Sequence, residues 1–131
     1  MAIDIRRVTL ISGSGGATAT STIAASVVGR LVKIIVHNDA TDQPDDNWDL
    51  TIYHGTASSP DYEAVFTDAT VSQTKTAAVV YNPVTPATKA ADGSASSLTE
   101  VPPILYGPLT ITGANMGNSK VAVVELVIEV A

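Results

Sequence analysis

The sequence predicts an all-β protein: a single-domain β-sandwich of antiparallel strands joined by long loops, of jelly-roll kind. Three observations predict it. Apolar residues recur at period two, most clearly from Val121 to Val130, as a half-buried strand requires. Val, Ile, Ala and Thr dominate the composition, against one Trp, one Phe and two Met, and that bias favours pleated surfaces over helices. Gly, Pro and Asn break the chain at short intervals, with no helical period between them. A length of 131 residues fits one domain and one core.

The elements follow in order. Ile3 to Ile11 is a strand candidate with Ile3, Ile5, Val8 and Leu10 apolar, but its phase slips at Arg6-Arg7, where adjacent arginines must point to opposite faces. A bulge there, or an arm that leaves the domain, accounts for the slip, so residues 1–11 are either an N-terminal arm or the first strand. Ser12 to Thr22 reads as a flexible loop or wide turn. Ile23 to Val28 fits a short strand or one helical turn.

After Gly29, Arg30 to His37 reads as a central strand with Val32, Ile34 and Val36 on one face. Asn38 to Asn47 is an acidic loop, and Trp48 to His54 resumes alternation with Trp48, Leu50 and Ile52 inward. Together these predict an antiparallel hairpin from Arg30 to His54. Tyr62 to Asp68 is a short strand or turn, Thr74 to Tyr81 carries an apolar segment, and Val84 to Thr99 has the composition of an exposed loop. Leu109 to Thr112, the turn Gly113 to Ser119 and the last strand predict a second hairpin. That last strand turns Ala122, Val124, Leu126, Ile128 and Val130 to one face and extends roughly 30 Å.

Composition excludes several function classes. Seven Lys plus Arg against 13 Asp plus Glu give a net charge of −6, which opposes phosphate-backbone binding, so no nucleic-acid partner is expected. Without cysteine there is neither a disulfide framework nor a thiolate metal site. No apolar run reaches the roughly 18 residues of a membrane span. The opening Met-Ala-Ile-Asp-Ile-Arg-Arg-Val-Thr-Leu-Ile, with a carboxylate and two arginines inside its apolar run, does not read as a secretory signal. The expectation is a soluble protein made in a cytoplasm.

No constellation converges on chemistry. His37 and His54, with Asp39, Asp42, Asp45 and Asp46 between them, resemble a metal set, but a symmetrical hairpin would hold the histidines about 20 Å apart. The loop 38–47 has carboxylates suited to calcium, yet it lacks the Gly and terminal Glu of the helix-flanked calcium motif, and Pro44 interrupts it. Ser12-Gly-Ser-Gly-Gly has no Lys-Ser/Thr to make a phosphate cradle, and no serine sits in a nucleophile elbow. Glu125 and Glu129 fall about 13 Å apart on one strand face, too far for a glycosidase pair, and suit salt bridges to Arg6 or Arg7. Trp48, Tyr53, Tyr62 and Tyr81 could stack a sugar, although Trp48 alternates with core positions. No enzymatic activity and no cofactor are expected.

Two stretches carry a family resemblance: the opening Met-Ala-Ile-Asp-Ile-Arg-Arg-Val-Thr-Leu, and Ile104-Leu-Tyr-Gly-Pro-Leu-Thr-Ile-Thr followed by Gly117-Asn-Ser-Lys and an apolar strand. With the strand at Gly29-Arg30-Leu31, this arrangement resembles small β-rich virion proteins of tailed bacteriophages; Gly55 to Val101 takes no part in it. The resemblance implies a capsid decoration or cement protein. Such a protein is non-enzymatic and often trimeric, is assembled in the host cytoplasm, and binds the major capsid protein on the outer head surface to tie capsomers together. A phage tail or head-to-tail connector subunit is the alternative, and a carbohydrate-binding module a more distant one. The expected contact residues are Ile3, Ile5, Arg6 and Arg7 of the opening segment, which could add as a strand to a neighbouring edge, and Val121, Val123 and Val127 on the second face of the last strand.

Overall fold

The computed structural model describes residues 2–15, 17–60, 62–73, 78–83 and 102–130. The described residues form seven strands: β1 (Ala2–Ile11), β2 (Ala19–Asn38), β3 (Trp48–His54), β4 (Glu63–Val71), β5 (Val79–Tyr81), β6 (Ile104–Ala114) and β7 (Val121–Val130). All pairings are antiparallel, and there is no helix among the described residues. Val84 to Thr99, whose composition reads as an exposed loop, lies outside the described residues.

The architecture turns on β2, which is 20 residues long and belongs to two sheets. Its first half, Ala19 to Arg30, pairs with β6; its second half, Arg30 to Asn38, pairs with β7, and Ile34 to Val36 pair with β5. One sheet therefore runs β1-β7-β2-β5 and the other β2-β6-β3-β4, eight strand segments in the jelly-roll arrangement. A strand that changes sheets needs a bend, and register shifts between Ile23 and Val27 and between Leu31 and Lys33 supply it. Gly29 lies between the two shifts at φ 151°, and Arg30 faces both Ile104 and Glu129.

The core fills the space between the sheets. Ala122, Val124, Leu126 and Ile128 of β7 face Leu50, Ile52 and Trp48 of β3 and Leu105, Leu109 and Ile111 of β6 within one buried cluster. The alternations of β3 and β7 come out as read. In β2 the second bulge moves the phase by one residue, so that Leu31, Ile34 and Val36 are buried and Val32 is only half-buried.

Three expectations are corrected. β2 and β3 form no hairpin, because β2 pairs with β7, β5 and β6 while β3 pairs with β4 and β6. The acidic loop instead crosses from one sheet to the other: Trp48 Nε1 donates to Asn38 Oδ1 at 3.2 Å, and Asn38 Nδ2 donates to the Ser72 carbonyl at 2.8 Å. β6 and β7 form no hairpin either, since β2 runs between them. Alternation reports which face is buried and is silent on which strand lies alongside. Finally, Arg6-Arg7 marks no bulge: β1 pairs with β7 without a register break from Ala2↔Val130 to Ile11↔Val121. Of the two readings of Ile23 to Val28, the strand is the one that forms, as part of the longer β2.

Side chains close the seam where the sheets do not share a strand. Tyr81 of β5 donates its hydroxyl to Asp68 Oδ2 of β4 at 2.6 Å, and its ring meets Phe66 edge-on at 5.0 Å. Burial together with the Asp68 charge pushes the Tyr81 hydroxyl far above its usual range, so it stays protonated and donating.

Candidate functional site

The site is built from the strand with the unexpected polarity. From Val8 onward β1 behaves as an ordinary edge strand, with Val8 and Leu10 buried. Before Val8 the polarity inverts. Asp4 and Arg6 take the inward positions, opposite Ile128 and Leu126, and bond to each other through Nε and Oδ2 at 2.9 Å. Ile3 and Ile5 point outward with 55% of their surface exposed. An unbroken register and a reversed pattern together place two large aliphatic side chains in solvent, at about 25 cal/mol per Å² of unburied apolar area.

The outward rows extend across the sheet. Ile5 faces Val127, which faces Lys33; Arg7 faces Glu125, which faces Ile35, which faces Val80; Thr9 faces Val123, which faces His37. Of the residues expected to make contacts, Ile3, Ile5, Arg7, Val121, Val123 and Val127 share this outer face. Arg6 does not; it lies on the inward side with Asp4. Ile35, Val80 and His37 complete the face, and the sequence had not singled out Ile35 or Val80. Their membership depends on register between strands distant in the chain, which alternation within one strand does not carry.

Charged groups at the middle of the face fix its geometry. Glu125 accepts from His37 Nε2 at 2.8 Å and lies 3.3 Å from Arg7 Nη2, joining β2, β7 and β1. Burial pushes the Glu125 carboxyl upward, but Arg7 and then His37 outweigh it and hold the group below the usual carboxylate range. The expected pairing of Glu125 with Arg7 is present. Arg6 pairs with Asp4 instead.

A second apolar group lies at the bend, where Val28 faces Tyr106 and Arg30 faces Ile104; Val28, Ile104 and Tyr106 are 66%, 61% and 54% exposed. Tyr106 also covers the buried His54, with ring centroids 4.4 Å apart, and borders a 290 Å³ cleft formed with Gly55, Thr56, Ser59, Gly107 and Pro108. The two histidines thus belong to different sheets, His37 outside the first and His54 buried at the end of β3.

Two carboxylates of the acidic loop accept from backbone amides. Asp39 Oδ2 accepts from the Thr41 and Asp42 amides at 2.9 and 2.7 Å, contacts that lower its pKa, and Asp46 Oδ1 accepts from the Gln73 amide at 2.9 Å. Among the described residues no group of three or more His, Asp or Glu side chains is placed to hold a metal. Of the aromatic residues weighed for sugar stacking, Trp48 is core, and the half-buried Tyr53 and Tyr62 stack on each other at 4.3 Å.

No known family matches the sequence, and no curated protein matches it. Among solved structures the chain is similar to chitosan-binding module 1 of a chitosanase/glucanase from Paenibacillus sp. IK-5, at 10% identity and TM-score 0.45 over 92% of this chain and 76% of that one. It is similar to PirA at 7% identity and TM-score 0.42, over 93% and 92% of the two chains. A Bacillus endospore appendage protein that forms disulfide-linked pili gives 11% identity and TM-score 0.37, over 99% and 88%.

Proposed function

We propose that the protein is a non-enzymatic virion structural protein, a decoration or cement protein that binds the major capsid protein on the outside of a tailed-phage head and stabilises contacts between capsomers. The observation that carries the reading is the outer face of the β1-β7-β2-β5 sheet, where Ile3, Ile5, Val127, Ile35 and Val80 form an apolar band. Arg7, Glu125 and His37 cross the middle of the face and Lys33 lies beside Val127, so apolar and charged groups are interspersed over a surface suited to a protein partner. The resemblance of both chain ends to phage virion proteins supplies the partner. A net charge of −6 fits a position outside the head, away from packaged DNA.

Co-sedimentation with heads assembled from the major capsid protein encoded beside this gene tests it. The wild-type chain is expected to pellet with heads, and Val127→Asp to weaken binding by about tenfold or more, because it sets a carboxylate beside Ile5 where an apolar side chain would meet the partner. Equal binding by this variant, with its circular dichroism unchanged, overturns the proposed surface. Rings of six or twelve copies in electron micrographs would assign the chain to a connector instead.

A further inference from the structure

The free edge of β1 carries a self-complementary pattern, from which we infer that two copies of this chain pair through β1 in an antiparallel, two-fold contact centred on Ile5. The backbone sets the terms. Ser12 N donates to Lys120 O at 2.9 Å, and the ladder continues without a break, so the even-numbered residues of β1 turn their N–H and C=O groups toward β7. Asp39 N donating to Val121 O at 3.0 Å confirms the phase from the other side of β7. The odd-numbered residues Ile3, Ile5, Arg7 and Thr9 therefore present their backbone groups to the open edge, where no strand pairs among the described residues.

Side chains then select the register. With Ile5 opposite Ile5 of the second copy, both hydrogen bonds of that pair form and Ile3 lies opposite Arg7 of the second copy. On the inward side Asp4 then lies opposite Arg6 of the second copy, and Arg6 opposite its Asp4. Each carboxylate gains a second guanidinium beside the one it already holds at 2.9 Å. Shifting the contact brings like charges together: Asp4 against Asp4 in one direction, Arg6 against Arg6 and then Arg7 against Arg7 in the other. Inward charge on an edge strand normally discourages pairing. Here both signs occur on neighbouring inward positions, so they favour the register centred on Ile5 over those next to it.

The pairing closes at two copies and extends the sheet through both chains, in contrast to the trimer that the family resemblance implies. It does not rest on the virion reading. Val127 is one strand away from the edge, so Val127→Asp leaves the pairing intact while testing the outer face.

Sedimentation of the full chain at micromolar concentration is expected to give twice the 13.5 kDa chain mass. Asp4→Arg alone and Arg6→Asp alone each set like charges against each other across the contact, and each is expected to raise the dissociation constant by about tenfold or more. Mixing the two variants restores opposite signs between chains while leaving neither chain with its own Asp4–Arg6 bond, so recovery of the dimer on mixing separates a contact between copies from one within a chain. The protein has no cysteine, so Ile5→Cys introduces a single thiol. Facing Cα atoms in such a pair lie about 5.5 Å apart, within disulfide range. Oxidation should crosslink Ile5→Cys and spare Ile3→Cys, whose two copies are offset along the strands by about 13 Å. A monomeric wild-type chain, persistence of both single-variant dimers, or equal crosslinking from Ile3→Cys overturns the inference.

Discussion

At the scale of single residues, Glu125 has the most to explain. It accepts from His37 and faces Arg7, and its carboxyl titrates below the ordinary range because those cations outweigh its burial. A lowered carboxylate pKa means that the native state holds its proton less tightly than the unfolded chain does. The stabilisation is therefore present above the unfolded value near 4.5 and is lost as pH falls through the lower native value. Arg7 and His37 are largely exposed, so the gain is modest, no more than about 1 kcal/mol. Glu125→Gln should lower the melting temperature slightly at pH 7, and the gap to the wild type should close in acid. Thermal unfolding of both chains across pH 3–7 checks this; a gap that widens in acid refutes the assignment.

At the scale of elements, the bend in β2 is the feature most exposed to a single change. A methyl group at Gly29 would lie 2.5 Å from the Glu129 carbonyl oxygen and 2.7 Å from Ile128 Cγ2, at a φ that L-residues rarely adopt. Neither contact can yield without moving β7. Gly29→Ala is expected to cost about 1–3 kcal/mol, to be measured by denaturant unfolding.

The elements also show what a sequence can carry. β3 and β7 were legible because their alternation is unbroken and its apolar phase is the buried one. β2 was legible only in part: two bulges shift its phase, and Gly29 has the look of a strand boundary when it is the middle of a strand. The slip at Arg6-Arg7 was visible, but its meaning was not, because a bulge and a genuine reversal of polarity give the same string of letters. Of the outer face, Ile3, Ile5, Arg7 and the β7 valines could be picked from their own strands. Ile35 and Val80 emerged only once β2 lay between β7 and β5.

At the scale of the whole molecule, the outer face, the charged inward edge of β1 and the exposed group at the bend surround one core. Surfaces are what this arrangement offers. Two copies joined through β1 would present two outer faces in one rigid body, and a partner with repeated sites would bind both with an avidity beyond either contact alone.

The strand shared by both layers has a further consequence. Each sheet is tied to the other through one continuous strand, because Ala19 to Arg30 hold the ladder of one and Arg30 to Asn38 the ladder of the other. Unfolding should then be a single all-or-none transition, and slowly exchanging amides in β3 and β7, on opposite layers, should report the same opening free energy. Native-state hydrogen exchange that resolves two separate energies for these strands would show that the bend acts as a hinge between independent units.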